Sequence, residues 1–231
     1  MSRSHGAATL SHDEARAFYD RFGSRQDRQG FYEDVAIDQL CAHADFAAAT
    51  AVLELGCGTG KLAKRLLERE LPPGARYLGL DLSATMVALA RARTQPFGER
   101  AAIRHADGAP TIDVAGASFD RFVCCYVLDL LSLADIRAVL GEAHRILEPG
   151  GFLCTASLTH GRSPASRAVS RAWSWVQARR PQLVGGCRPI RIEELLPAED
   201  WSLQYSCTVS AFGVPSEVVI AKRRTEAPMY G

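Results

Sequence analysis

Five short apolar runs alternate with stretches of helical periodicity, and no other feature of this sequence constrains the fold so tightly. The runs are TAVLEL (50–55), RYLGLD (76–81), AAIRHA (101–106), FDRFVCC (119–125) and FLCTASL (152–158). Residues 61–71, 84–94 and 133–147 between them place apolar side chains three to four positions apart. Strands that alternate with helices of this length form a parallel sheet covered on both faces. Two further helices, 12–22 and 31–45, precede the first strand. EPGG (148–151) ends the last helix, with Pro149 and Gly150 placed for a type II turn. After Leu158 the rhythm breaks: 164–180 predicts an extra helix and 191–196 a short one. The chain then ends in two strand-like runs, LQYSCTVSAF and SEVVIAK, joined at GVP. So close a connection makes that pair antiparallel. A dinucleotide-binding sheet would continue with a parallel strand instead.

The 231 residues are 47% apolar and 23% charged, which suits one domain over 1–231 with a modest insertion. A net charge of +1 argues against nucleic acid as the main partner. No apolar run is long enough for a membrane span, and the N-terminal stretch has no apolar signal core, so a cytoplasmic location is expected. The seven cysteines form no CxxC pair and sit mostly among apolar neighbours. They read as reduced, buried thiols, and no metal site is expected.

The first strand runs into a glycine turn, VLELGCGTGKL (52–62). The phosphate loop of NTPases requires GxxxxGK[ST], and Lys61 stands where its second glycine should be. The dinucleotide fingerprint GxGxxG fails at the same position. What remains is Glu54, Gly56, Gly58 and Gly60 at two-residue spacing.

With this pattern the sequence resembles the class I S-adenosylmethionine-dependent methyltransferases. It is most similar to the methyltransferase type 11 group, which includes quinone-biosynthesis and phospholipid N-methyltransferases. The resemblance spans roughly residues 15–160 and the terminal hairpin, and implies an α/β, Rossmann-like, seven-stranded methyltransferase fold. The sheet would be mostly parallel, with a C-terminal antiparallel hairpin. The chemistry agrees. S-adenosylmethionine has no phosphate, so the turn needs no anion-binding lysine. Its methionine end carries an ammonium and a sulfonium, and Glu54 would place a negative charge near them. Gly56, Cys57, Gly58 and Gly60 would let the backbone approach closely. Asp81, ending the second strand, would accept both ribose hydroxyls; alternatively it caps the helix opened by DLSATM, a role Ser83 can also fill. Leu82 and Met86 would flank the adenine or pack in the core. Asp107 and Gly108, in HADGAP, would meet the adenine amino group and ring, or form a turn. The backbone at Cys125 would meet the methionine amino group.

The acceptor end is less legible. Methyl transfer from a sulfonium needs mainly alignment and exclusion of water, so no obligatory catalytic residue is expected. Tyr19, Tyr126 and His160 are candidates for the reacting end. Tyr19 lies in helices 12–45, expected to form a lid, and Tyr126 and Asp129 follow the fourth strand. Residues 159–190 would cap the acceptor. Between Leu158 and Ile192 lie seven arginines, Trp173 and Trp175, and no acid. Such a segment suits an anionic or lipid-like acceptor, peripheral contact with a membrane, or a solvated helix. The activity expected is methyl transfer to a small molecule, yielding S-adenosylhomocysteine. The alternatives are a membrane-associated enzyme acting on a phospholipid or quinone-like lipid, and a non-catalytic S-adenosylmethionine-binding protein.

Overall fold

The computed structural model describes residues 12–23, 26, 30–109, 111–161 and 187–225. The expected helix at 164–180, with its tryptophans, lies outside the described residues, as do five of the seven arginines and Pro110.

Two helices come first, α1 (His12–Phe22) and α2 (Gly30–His43). The strands are β1 (Ala51–Leu55), β2 (Arg76–Asp81), β3 (Ala101–His105), β4 (Phe119–Cys125), β5 (Leu147–Leu158), β6 (Trp201–Ala211) and β7 (Val214–Arg223). Between them lie α3 (Lys61–Arg65), α4 (Ala84–Thr94) and α5 (Leu133–Ile146). The helix expected over 61–71 is α3 continued by a π-helical turn, Leu66–Glu70, in which the Leu71 N–H reaches back to the Leu66 carbonyl at 2.8 Å.

The seven strands form one sheet in the order β3-β2-β1-β4-β5-β7-β6. β1 to β5 pair in parallel, and β7 lies antiparallel between β5 and β6. Alternate residues of each strand point to opposite faces. Val52, Tyr77, Val123, Cys154 and Val218 join the core under α2, α3 and α4. Leu53, Leu78, Phe122, Leu153 and Val219 join the core under α5. Both faces are therefore covered, which is why the strand sequences are continuously apolar.

Two connections differ from expectation. EPGG does turn, with Gly150 at φ 83°, but inside β5. Register passes from Phe119↔Leu147 to Arg121↔Phe152, so the turn bulges out of a strand that pairs on both sides of it. The terminal hairpin turns at Phe212–Gly213, so only the glycine of the expected GVP connection lies in the turn, and both residues have positive φ (51° and 82°). That is the type I′ geometry that matches strand twist, and it leaves Val214 and Pro215 in β7.

The chain leaves β1 toward β2 and β3, then returns to lay β4 on the other side of β1. That reversal opens a crevice beyond the carboxyl ends of β1 and β4, where open α/β sheets bind ligands. Among the described residues, no helix is long and apolar enough to cross a membrane.

Candidate active site

The glycine turn crosses this crevice. Gly56 and Cys57 both donate to the Leu80 carbonyl, at 2.8 and 3.0 Å, which folds the turn over the end of β2. Gly56, Gly58 and Gly60 have φ of 75°, 52° and 77°, conformations an L side chain rarely adopts. Neighbouring protein atoms impose glycine as well. A Cβ on Gly56 would lie 2.2 Å from Val127 Cγ2, and one on Gly60 would lie 2.9 Å from the Ala90 Cα of α4. Gly60 therefore serves the packing of turn against helix, and it lines neither of the two cavities described below.

Two cavities meet at Gly56. One, of about 450 Å³, runs past Asp81, Leu82, Asp107, Gly108 and Val127. The other, of about 310 Å³, is bounded by Glu54, Gly58, Cys125, Tyr126, Glu33 and Gln26.

In the larger cavity, Asp81 Oδ2 accepts the Gly58 N–H at 2.8 Å and Oδ1 accepts the Ser83 N–H at 2.9 Å. Burial raises the Asp81 pKa, and these two backbone bonds oppose the shift. Ser83 is the N-cap of α4: its hydroxyl accepts the Met86 N–H at 3.2 Å and donates to Asp20 of α1 at 2.5 Å. Helix α1 is thus tied to the residue beside Asp81. Asp107 accepts the Ala109 N–H at 2.9 Å, so it forms a local turn while its side chain borders the cavity. Met86 is 1% exposed and does not line this cavity, so here it packs in the core and its expected place beside the adenine is not seen.

In the smaller cavity, Glu54 is buried and accepts the hydroxyl of buried Tyr77. Burial raises the Glu54 pKa to about 7; the Tyr77 bond opposes the shift and Asp81 adds to it. Tyr126 sits at φ 56°, a strained conformation for a residue with a Cβ, and its hydroxyl donates to Ser216 at 2.9 Å. Cys125 and Tyr126 both border this cavity. Tyr19 is half-buried on α1. Burial raises its pKa, with Cys187, Asp129, Glu33 and Asp81 adding in that order. His160, expected near the mouth, is exposed and lines neither of these cavities.

Sequence reasoning passed over two groups here, Glu33 and Gln26, and left the burial of a third, Asp129, unread. Glu33 reads as an ordinary acid in the first turn of a helix, yet it borders the smaller cavity. Gln26 lies against the turn, its Oε1 buried without a partner and 3.0 Å from where a Cβ on Gly58 would sit. Asp129 reads as turn chemistry, yet it is fully buried.

The charges select among nucleotides. Among the described residues, Glu54 and Asp81 form no ion pair, while Lys61 is taken by Asp34 at 2.6 Å. Buried Glu54 and half-buried Asp81, without ion-pair partners, repel a phosphate and suit a ligand bearing an ammonium and a sulfonium. The residues present therefore fit S-adenosylmethionine. An α/β sheet that ends in an antiparallel hairpin, with a glycine turn flanked by Glu54 and Asp81, forms a scaffold suited to a nucleoside that carries positive charge.

Residues 52–151 match the family described as the methyltransferase domain. The chain is 35% identical over 106 residues to a demethylmenaquinone methyltransferase of Thermus thermophilus, covering 46% of each chain. It is 30% identical over 160 residues to a malonyl-[acyl-carrier protein] O-methyltransferase of Pectobacterium atrosepticum, covering 69% of this chain and 54% of the relative. The chain thus spans about half the length of these curated relatives. Among solved structures, it superposes on the N-methyltransferase NodS from Bradyrhizobium japonicum, in complex with S-adenosylhomocysteine, with TM-score 0.67 and 18% identity, covering 91% and 99% of the two chains. The [4+2]-cyclase SpnF superposes with TM-score 0.71 and 16% identity, covering 95% and 99%. Both show the shared fold alone, and one fold hosts different chemistries. Over residues 52–151 the chain matches a methyltransferase domain, and it is similar to the class I S-adenosylmethionine-dependent methyltransferases.

Proposed function

We propose that this chain transfers a methyl group from S-adenosylmethionine to a small-molecule or lipid-linked acceptor. The observation that carries this reading is the pair of carboxylates without an ion-pair partner among the described residues, buried Glu54 and half-buried Asp81, on either side of one glycine turn between two joined cavities. The larger cavity takes the nucleoside, with the ribose hydroxyls on Asp81 and the adenine against Leu82, Asp107 and Gly108. The smaller takes the methionine end, against the turn at Gly56–Gly58, Glu54 and the backbone of Cys125. The bound cofactor supplies an activated methyl group. The protein orients the acceptor above the end of β4, beside Tyr126, and excludes water. Alignment of this kind is the main contribution a protein can make to such a displacement.

In this reading α1 and α2 form a lid. The tie from Asp20 to Ser83 sets the lid beside the ribose subsite, and Tyr19 covers the crevice. The relatives named as acting on demethylmenaquinone and on a malonyl-acyl carrier support a small or carrier-linked acceptor. Calorimetry with S-adenosylhomocysteine and with NAD tests the cofactor, and label transfer from methyl-tritiated S-adenosylmethionine tests the chemistry. Binding of NAD in place of S-adenosylhomocysteine would overturn the reading.

A further inference from the structure

Beyond the carboxyl ends of β4 and β5, Tyr32, Leu158, Cys187 and Ala211 are buried together, with Tyr126 packed against them. The Tyr32 and Tyr126 rings meet edge to face, with centroids 5.8 Å apart. Two carboxylates enter this aromatic cluster. Glu33 stands next to Tyr32 on the first turn of α2 and borders the cavity that holds Gly56 and Cys125. Asp129 is 0% exposed; its Oδ2 accepts the Leu158 N–H at 3.2 Å, and its Oδ1 has no hydrogen-bond partner. Among the described residues neither acid forms an ion pair.

Burial raises the pKa of both acids to about 7. At Glu33, a Tyr32 hydrogen bond opposes the shift, Asp129 and Asp34 add to it, and Lys61 opposes it. At Asp129, backbone hydrogen bonds and Arg188 oppose it. Asp129 and Glu33 also push up the hydroxyls of Tyr19, Tyr32 and Tyr126, after burial itself. The cluster therefore holds two acids that Arg188 and Lys61 offset only in part, with no ion pair to either among the described residues. A buried carboxylate with a free oxygen is costly, and a cation hydrogen-bonded to it removes that cost. Tyrosine faces favour the same kind of ligand. An anionic acceptor would add a third negative charge to the same small volume.

We propose that the acceptor is an amine, its ammonium group held by Glu33 beside Tyr126, with buried Asp129 adding negative charge behind them, and that Glu33 takes the proton the amine must lose. The proposal rests on the methyltransferase reading and names its substrate class. The ammonium N–H bond breaks first: the proton passes to the Glu33 carboxylate, and the nitrogen keeps the electron pair. That pair forms the N–C bond to the methyl carbon as the C–S bond breaks, its electrons going to sulfur. The products are a methylated ammonium, a neutral thioether and a protonated Glu33. The positive sulfonium beside the site disfavours a second cation and so assists the proton transfer. An acid that titrates near neutrality suits this task.

The test uses protein loaded with S-adenosylhomocysteine and three matched probes: phenethylamine, 2-phenylethanol and phenylacetate. Binding is read by ligand-observed NMR and by thermal shift. The amine is expected to bind about tenfold tighter than either matched probe, the scale of an ammonium gaining aromatic and carboxylate partners. Glu33→Gln and Asp129→Asn should each remove most of that preference. Glu33→Gln lies on the first turn of a helix, so it stays informative if the fully buried Asp129→Asn fails to fold. Phenylacetate binding as tightly as the amine, no amine binding at millimolar concentration, or an unchanged preference in Glu33→Gln would each overturn the proposal. Loss of S-adenosylhomocysteine binding in Glu33→Gln would assign Glu33 to the cofactor and overturn it too. Failure of the wild type to bind S-adenosylhomocysteine would instead sink the methyltransferase reading beneath it.

Discussion

Gly56→Ala adds one methyl group where the ends of β1 and β4 meet. Its Cβ would lie 2.2 Å from Val127 Cγ2, on a backbone with φ 75°. The left-handed conformation costs an L-residue about 1–2 kcal/mol. Forcing a carbon into occupied space costs about 1–3 kcal/mol more. The single variant should therefore lose about 2–5 kcal/mol of stability. In a Val127→Ala background the obstructing Cγ2 is gone, and the nearest remaining atom of that side chain is Cβ at 3.5 Å, an ordinary contact. Only the backbone cost then remains, so the same substitution should lose about 1–2 kcal/mol. Urea unfolding of the wild type, both single variants and the double variant yields the coupling, expected at about 1–3 kcal/mol. A coupling under about 0.5 kcal/mol would refute the reasoning, because it would mean that the two sites act independently. Because residue 56 borders both cavities, S-adenosylhomocysteine affinity should stay reduced in the double variant even where stability recovers.

Asp81→Ala should weaken S-adenosylhomocysteine binding by about 1.5–3 kcal/mol, the scale of charge-assisted hydrogen bonds, with an intact circular dichroism spectrum; unchanged affinity would leave Asp81 only its bonds to Gly58 and Ser83. Burial holds the Glu54 pKa at about 7, above its ordinary value, so the folded protein keeps that proton after the unfolded chain has lost it. Ligand-free stability should therefore fall as pH rises from the ordinary carboxylate range to about 7, and Glu54→Gln should flatten the slope; thermal melting across that range reads both. Hydrogen exchange should show α1 gaining protection when S-adenosylhomocysteine binds, and Asp20→Ala should lower its protection without ligand; equal protection with and without ligand would make α1 fixed scaffold. Tyr19→Ala should reduce turnover more than it reduces stability, checked by comparing label transfer with urea unfolding.

The strand-and-helix alternation and the spacing of Glu54, Gly56, Gly58 and Gly60 were legible without any structure, because both are local. A strand buried on both faces needs an unbroken apolar run, and a left-handed turn needs glycine wherever it occurs. The acid that ends β2, the Ser83 cap and the terminal hairpin follow from short-range rules of the same kind. Tertiary structure decided what each residue meets. Gly60 is a glycine because α4 passes behind it, and Met86 faces the core because of how α4 sits on the sheet. The last turn falls at Phe212–Gly213 because the pairing of β6 with β7 demands two positive φ angles, and phenylalanine rarely announces that conformation. Glu33 and Asp129 are nearly a hundred residues apart in sequence, in segments that look like solvated helix and simple turn. Only the packing of α2 across β5, β6 and β7 brings half-buried Glu33 toward the pocket behind which Asp129 is buried. Burial of a polar group is a property of the elements that close around it, and residues so far apart in the chain carry no periodic signal of one another.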